Sequence, residues 1–93
     1  MKKRTKEQEY IEQLKRKLSP SYRQIETSMQ YPKGEIDVVG ISRGKKDLYE
    51  VKTTSNSRNL EKAREQLGRA RKKLSDVENC YVYIGKDDRI IPI

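Results

Sequence analysis

Apolar residues along this chain recur at two kinds of interval, and the switches between them mark out the elements. Between Thr5 and Leu18, Tyr10, Ile11, Leu14 and Leu18 form one stripe at three- and four-residue spacing, which predicts an amphipathic helix capped by Thr5 and ended by Ser19-Pro20-Ser21. Tyr22 to Met29 predicts a strand, with Tyr22, Gln24, Glu26 and Ser28 on one side and Arg23, Ile25, Thr27 and Met29 on the other; its mixed pattern suits a sheet edge. Tyr31-Pro32-Lys33-Gly34 is a loop. Gly34–Gly40 and Leu48–Thr54 are two further strands joined by the polar turn Ser42–Asp47. The Ser/Asn-rich stretch Thr53–Asn59 supplies Asn56 or Ser57 as N-cap of a second helix, Leu60–Leu74, and its hydroxyls and free N–H groups can also contact phosphates. There Leu60, Ala63, Leu67, Ala70 and Leu74 make a narrow seam, and its small alanines suit close packing on a sheet. Asn79–Ile84 is a strand and Gly85–Asp88 a turn. Arg89–Ile93 is too apolar for a free tail and serves as a final strand or an oligomer contact. Strand, helix, strand implies a right-handed parallel crossover. The sum is an α/β chain, αβββαβ in order, with a mixed sheet flanked by helices and a single domain over residues 1–93.

The central hairpin carries the unusual chemistry. Folded back at Arg43-Gly44, it sets Val39 opposite Leu48, Asp37 opposite Glu50 and Glu35 opposite Lys52. Alternation then puts Glu35, Asp37, Glu50 and Lys52 on one face. Carboxylates have poor strand propensity, and like charges directly opposite one another destabilise a strand pair. Asp37 against Glu50 therefore calls for something positive between them, and a divalent cation together with the Lys52 ammonium meets that need. On the first helix, at 100° per residue from Tyr10, the apolar stripe centres near about 55° and Glu7 falls near about 60°. Glu7 thus faces inward one turn before the stripe, while Glu9 and Glu12 face away. It either complements the helix N-terminus or reaches the hairpin carboxylates. Glu26 reads better as an exposed polar residue than as a supporting carboxylate. Gln66 lies beside the seam of the second helix, at the boundary between core and solvent.

Composition narrows the chemistry. Of 93 residues, 32% are hydrophobic and 39% charged, so the core is thin and a dimer interface is a natural supplement. The net charge of +8 favours a polyanionic partner such as nucleic acid. Arg58, Lys62, Arg64, Arg69, Arg71, Lys72 and Lys73 spread over the second helix, and Lys45 sits in the hairpin turn. Of these, Arg58, Lys62, Arg64, Arg69 and Lys45 are the candidates for gripping a phosphate backbone. Lys2-Lys3-Arg4 and Lys6 are either a solvated start or an arm on phosphates. The chain has no histidine, which removes His general bases, His metal sites and ββα-metal nucleases. One cysteine, Cys80, excludes an intrachain disulfide and a multi-cysteine zinc site, and it reads as a buried small hydrophobe. No apolar run reaches membrane-spanning length and no signal peptide is visible, so the expectation is a soluble cytoplasmic protein, nucleoid-associated or viral within a host cytoplasm, with no membrane partner.

The constellation is Glu7, Gly34-Glu35-Ile36-Asp37, Glu50-Val51-Lys52 and Gln66-Leu67. It resembles the PD-(D/E)XK nuclease superfamily, and within it the archaeal Holliday junction resolvases and related small endonucleases, over Glu7 to about Ile84. The resemblance implies a minimal restriction-endonuclease-like core. It also implies a site in which Asp37 is the motif aspartate, Glu50-Val51-Lys52 the Glu-X-Lys, Glu7 the first-helix glutamate, and Gln66 the helix glutamine. Ile36 stands where the superfamily often has proline, and Glu35 is an additional acid.

The chemistry is coherent on its own terms. Phosphodiester hydrolysis needs charge neutralisation at phosphorus, an activated water and a stabilised leaving oxygen. Asp37, Glu50, the Val51 carbonyl and Glu7 would hold Mg²⁺, with Mn²⁺ as a substitute. Lys52 would orient the water or stabilise developing charge, and Gln66 would hydrogen-bond water or phosphate. The expected function is a Mg²⁺-dependent DNA endonuclease, structure-selective in the manner of a junction resolvase, acting on branched or duplex DNA as a homodimer, since resolution needs two active sites. The alternatives are an exonuclease, nickase or restriction-like nuclease of the same fold, and a non-catalytic nucleic-acid-binding module.

Overall fold

The computed structural model describes residues 5–93. The basic run Lys2-Lys3-Arg4 lies outside them. The elements are α1 (Lys6–Leu18), a 3₁₀ turn at Ser19–Ser21, β1 (Gln24–Tyr31), β2 (Gly34–Ser42), β3 (Lys45–Lys52), α2 (Ser57–Lys73), β4 (Val77–Ile84), a second 3₁₀ turn at Gly85–Asp87 and β5 (Arg89–Pro92). The strands form one mixed sheet in the order β1-β2-β3-β4-β5. All neighbours are antiparallel except β3 and β4, which α2 joins as a parallel crossover. The fold is α/β and compatible with the expected αβββαβ core.

Local chemistry sets the helix starts. Thr5 and Gln8 form a reciprocal capping box: the Gln8 N–H donates to Thr5 Oγ1 at 3.1 Å, and the Thr5 N–H donates to Gln8 Oε1 at 3.0 Å. Asn56 caps α2, its Oδ1 accepting from the Asn59 N–H at 2.9 Å. The hairpin turn is the two residues Arg43 and Gly44, with φ of 54° and 76°. Two positive φ values match the twist of the flanking strands.

Each face of the sheet packs on one helix. Leu14 and Leu18 of α1 bury against Val38, Tyr49, Val51 and Tyr83. Ala63, Leu67 and Ala70 of α2 bury against Ile36, Val39, Leu48, Cys80, Val82 and Ile84. Leu67 is 1% exposed, so Leu67→Ala should cost about 2–5 kcal/mol. The reading is a lower urea midpoint at unchanged slope, and a shift of only a few tenths of a kcal/mol would contradict this packing.

Several expected boundaries move. β1 begins at Gln24 rather than Tyr22 and runs to Tyr31. Tyr22 instead lays its ring over Gly40, where a Cβ would come within 2.6 Å of it. Its hydroxyl donates to Asp47 Oδ2 at 2.6 Å. The loop into β2 contracts to Pro32-Lys33, because Tyr31 already pairs with Gly34. β1 is an edge strand, as its pattern suggested, but its alternation inverts partway. Ile25 packs on the α1 face, whereas Met29 and Tyr31 pack on the α2 face. Residues 25, 29 and 31 share parity, so a regular strand would hold them on one face. The inversion falls at Ser28, whose φ is +55°.

Candidate active site

The hairpin register is the expected one: Val39 pairs with Leu48 and Val38 with Tyr49. Beyond Tyr49 the β2–β3 ladder stops. Asp37 is next in register to Glu50, but its side chain takes over the pairing, with Oδ2 accepting from the Val51 N–H at 2.9 Å. The same residue is unpaired on its other flank. The β1–β2 ladder runs from Gln24–Ile41 to Tyr31–Gly34 and omits only the Ser28–Asp37 pair. β2 also inverts there, since Ile36 packs on the α2 face and Val38 on the α1 face.

This inversion corrects one expectation. Leu48 packs on the α2 face and Tyr49 and Val51 on the α1 face, so alternation gives Glu50 and Lys52 to the α2 face. Ile36 also packs on the α2 face, which turns Glu35 to the opposite side. Glu35 is exposed, accepts from Gln30 Nε2 at 3.1 Å, and shares no face with Glu50 or Lys52. The sequence carries a trace of this, because Ile36 and Val39 are both apolar three residues apart, a spacing strict alternation does not give.

Glu50 is the one charged residue buried among the described residues, at 2% exposure. Its Oε1 has no hydrogen-bond partner, and neither has the buried Oε1 of Gln66. Burial, reinforced by the charge of Asp37, pushes the Glu50 carboxyl up to about 8. Burial also raises Asp37, with the Val51 N–H opposing the shift and the charge of Glu7 adding to it. Two desolvated carboxyls side by side disfavour double ionisation, so near neutrality the pair retains a proton. Buried polar atoms are nearly always paired, so a buried acid whose oxygen has no protein partner stands out in this core. It is the donor chemistry a hard divalent cation takes up.

A cleft of about 150 Å³ opens at the end of β3, lined by Glu7 and Tyr10 of α1, Val51, Lys52 and Thr53, and Asn59 of α2; neither Asp37 nor Glu50 is on its wall. It lies at the carboxyl end of the parallel strands, where open α/β sheets leave a crevice. Glu7 is exposed on the cleft wall and close enough for its charge to act on Asp37. Among the described residues no three His, Cys, Asp or Glu side chains converge closely enough to hold a metal ion. Glu7, Asp37 and Glu50 are thus neighbours but not yet a closed ligand set. Thr53 and Asn59 bound the Ser/Asn-rich loop that the sequence marks for phosphate contact, whereas Tyr10 is not a site residue by sequence. Tyr10 reads there as core, and its ring does lie against Gly85. Glu26 is half-buried on β1, accepts from Gln24 Nε2 at 2.6 Å, and takes no part in the cleft wall.

Gln66 is half-buried, and its backbone carbonyl accepts from the Tyr31 hydroxyl at 3.5 Å. Arg58, Lys62, Arg64 and Arg69 are all exposed on α2, and no ion pair from α2 forms among the described residues. Arg58 and Lys62 lie one residue before and three residues after Asn59 on α2, though neither lines the cleft. Arg69 lies ten residues past Asn59, about 15 Å along the helix. Lys45 is exposed at the far end of β3, five residues and about 17 Å from Glu50, so it does not join the site. Arg71 is committed elsewhere, donating to Cys80 Sγ at 3.8 Å and to the Glu78 carbonyl at 3.3 Å. Cys80 is free, buried and raised by desolvation, as suits a packing residue. No helix among the described residues is long and apolar enough to cross a membrane. No protein-family model, no curated protein and no solved structure matches the chain.

Proposed function

We propose that this protein is a Mg²⁺-dependent DNA endonuclease of the PD-(D/E)XK type, structure-selective toward branched DNA and working as a cytoplasmic homodimer. The observation that carries the reading is Glu50: a buried carboxyl with an unpartnered oxygen beside Asp37, two residues before Lys52, in a chain of net charge +8. Asp37 and Glu50, with the Val51 carbonyl and Glu7, would hold the cation. Bound there, Mg²⁺ or Mn²⁺ supplies Lewis acidity at a phosphoryl oxygen and a more acidic water. Lys52 sits on the cleft wall, where an ammonium stabilises charge developing on the phosphoryl group or orients the water. Gln66, whose amide oxygen is unpartnered, would accept a hydrogen bond from the same water. The exposed α2 cations carry the phosphate backbone.

The test is cleavage of labelled linear duplex, single strand, flap and four-way junction with Mg²⁺, Mn²⁺ or EDTA, by wild type and Glu50→Ala. Symmetric metal-dependent nicks at the junction, lost in the variant, are expected. Cleavage of flaps or single strands instead would keep the nuclease and discard the resolvase. That no three-ligand group closes among the described residues leaves room for one other reading, a nucleic-acid-binding module without catalysis. Tight, salt-sensitive junction binding with no cleavage under any condition would select it. On either reading, Arg58→Ala and Lys62→Ala should each reduce the slope of log K against log salt by about 1 if each side chain contacts one phosphate. An unchanged slope removes that residue from the interface.

A further inference from the structure

We propose that Ser28 is a positioning residue for Asp37, acting through its left-handed backbone conformation rather than its hydroxyl. The proposal rests on Asp37 as a cation ligand, but the geometry behind it is independent of any cation. Ser28 is the exposed register partner of Asp37, and theirs is the one pair missing from an otherwise continuous β1–β2 ladder. Both strands invert their faces at this point, β1 between Ile25 and Met29 and β2 between Ile36 and Val38. One residue at φ +55° does this for β1. The matching inversion frees Asp37 from both neighbouring ladders, so its carboxylate can lie toward β3 and accept the Val51 N–H at 2.9 Å. In a regular strand Asp37 would keep its backbone pairs with Ser28 and Glu50, and its side chain would stand perpendicular to the sheet. The left-handed region is open to Gly, tolerated by small polar residues and hostile to β-branched ones. The Ser28 hydroxyl makes no hydrogen bond among the described residues, so the backbone is what the position contributes.

Two substitutions separate backbone from hydroxyl. Ser28→Thr keeps the hydroxyl and opposes the conformation, whereas Ser28→Gly keeps the conformation and removes the hydroxyl. The readouts are hydrogen exchange of the Val51 amide, referenced to the core amide of Val82, and Mn²⁺ affinity by calorimetry. Ser28→Gly should leave both within about twofold of wild type. Ser28→Thr should accelerate Val51 exchange relative to Val82, and weaken Mn²⁺, by about tenfold each. A general loss of stability would move Val82 along with Val51. Wild-type behaviour in Ser28→Thr, or losses in Ser28→Gly equal to those in Ser28→Thr, overturns the proposal. If wild type binds no Mn²⁺, the nuclease reading falls, while the Val51 exchange still decides the role of Ser28.

Discussion

Glu50→Gln is expected to make the cation-free protein more stable than wild type at pH 8 while abolishing metal-dependent cleavage. The side chain is 2% exposed, and burial with the Asp37 charge beside it raises its carboxyl to about 8. In the unfolded chain the same group titrates near about 4.3. Between these values the folded state binds more protons than the unfolded state, so stability falls as pH rises. The contribution is fully present below about pH 4 and is lost as pH climbs through the folded value. By pH 8 wild type has given up on the order of a few kcal/mol that the uncharged glutamine retains. Thermal melts in EDTA should therefore show wild type weakening from pH 5 to 8 and Glu50→Gln holding closer to level. Excess Mg²⁺ or Mn²⁺ should restore wild type at pH 8, because a ligand of the folded state alone stabilises it, and should leave the variant unmoved. Parallel pH profiles for the two proteins would sink this account of the carboxyl pair.

Lys52→Ala should separate binding from chemistry. Lys52 lies on the cleft wall two residues beyond Glu50, and its charge favours ionised Asp37 and Glu50. Removing the ammonium takes away a positive charge where negative charge develops, and losses of about 10²–10⁴-fold in cleavage rate follow from deleting such groups. Mn²⁺ binding should survive, because Asp37 and Glu50 remain. Single-turnover cleavage and calorimetry on the same preparation would decide: a rate within threefold of wild type removes Lys52 from the reaction, and loss of Mn²⁺ binding reassigns it to the carboxylates.

Much of this was legible in the chain. Thr5 and Asn56 announce the helix starts, because short polar side chains satisfy free N–H groups wherever a helix begins. The Arg43-Gly44 turn and the alternation of Val39 with Leu48 fixed the hairpin register, and register brings Asp37 next to Glu50. The small residues Ala63 and Ala70 foretold the close seat of α2. The error over Glu35 came from extending strict alternation through Asp37. A face inversion is a property of two strands together and leaves only a faint mark in either one.

By itself the sequence determined the element order, the helix caps, the hairpin register and the residue types able to bind a cation, since these depend on neighbours a few positions away. The tertiary structure decided which acid is desolvated, which faces solvent and which pairs with a backbone amide. Glu35 and Glu50 are the same side chain in similar strands, yet one is exposed and hydrogen-bonded to Gln30, while the other is buried with a bare oxygen. Packing by α2 and the paired break at Ser28 and Asp37 make that difference, and both depend on segments distant in sequence meeting across the sheet.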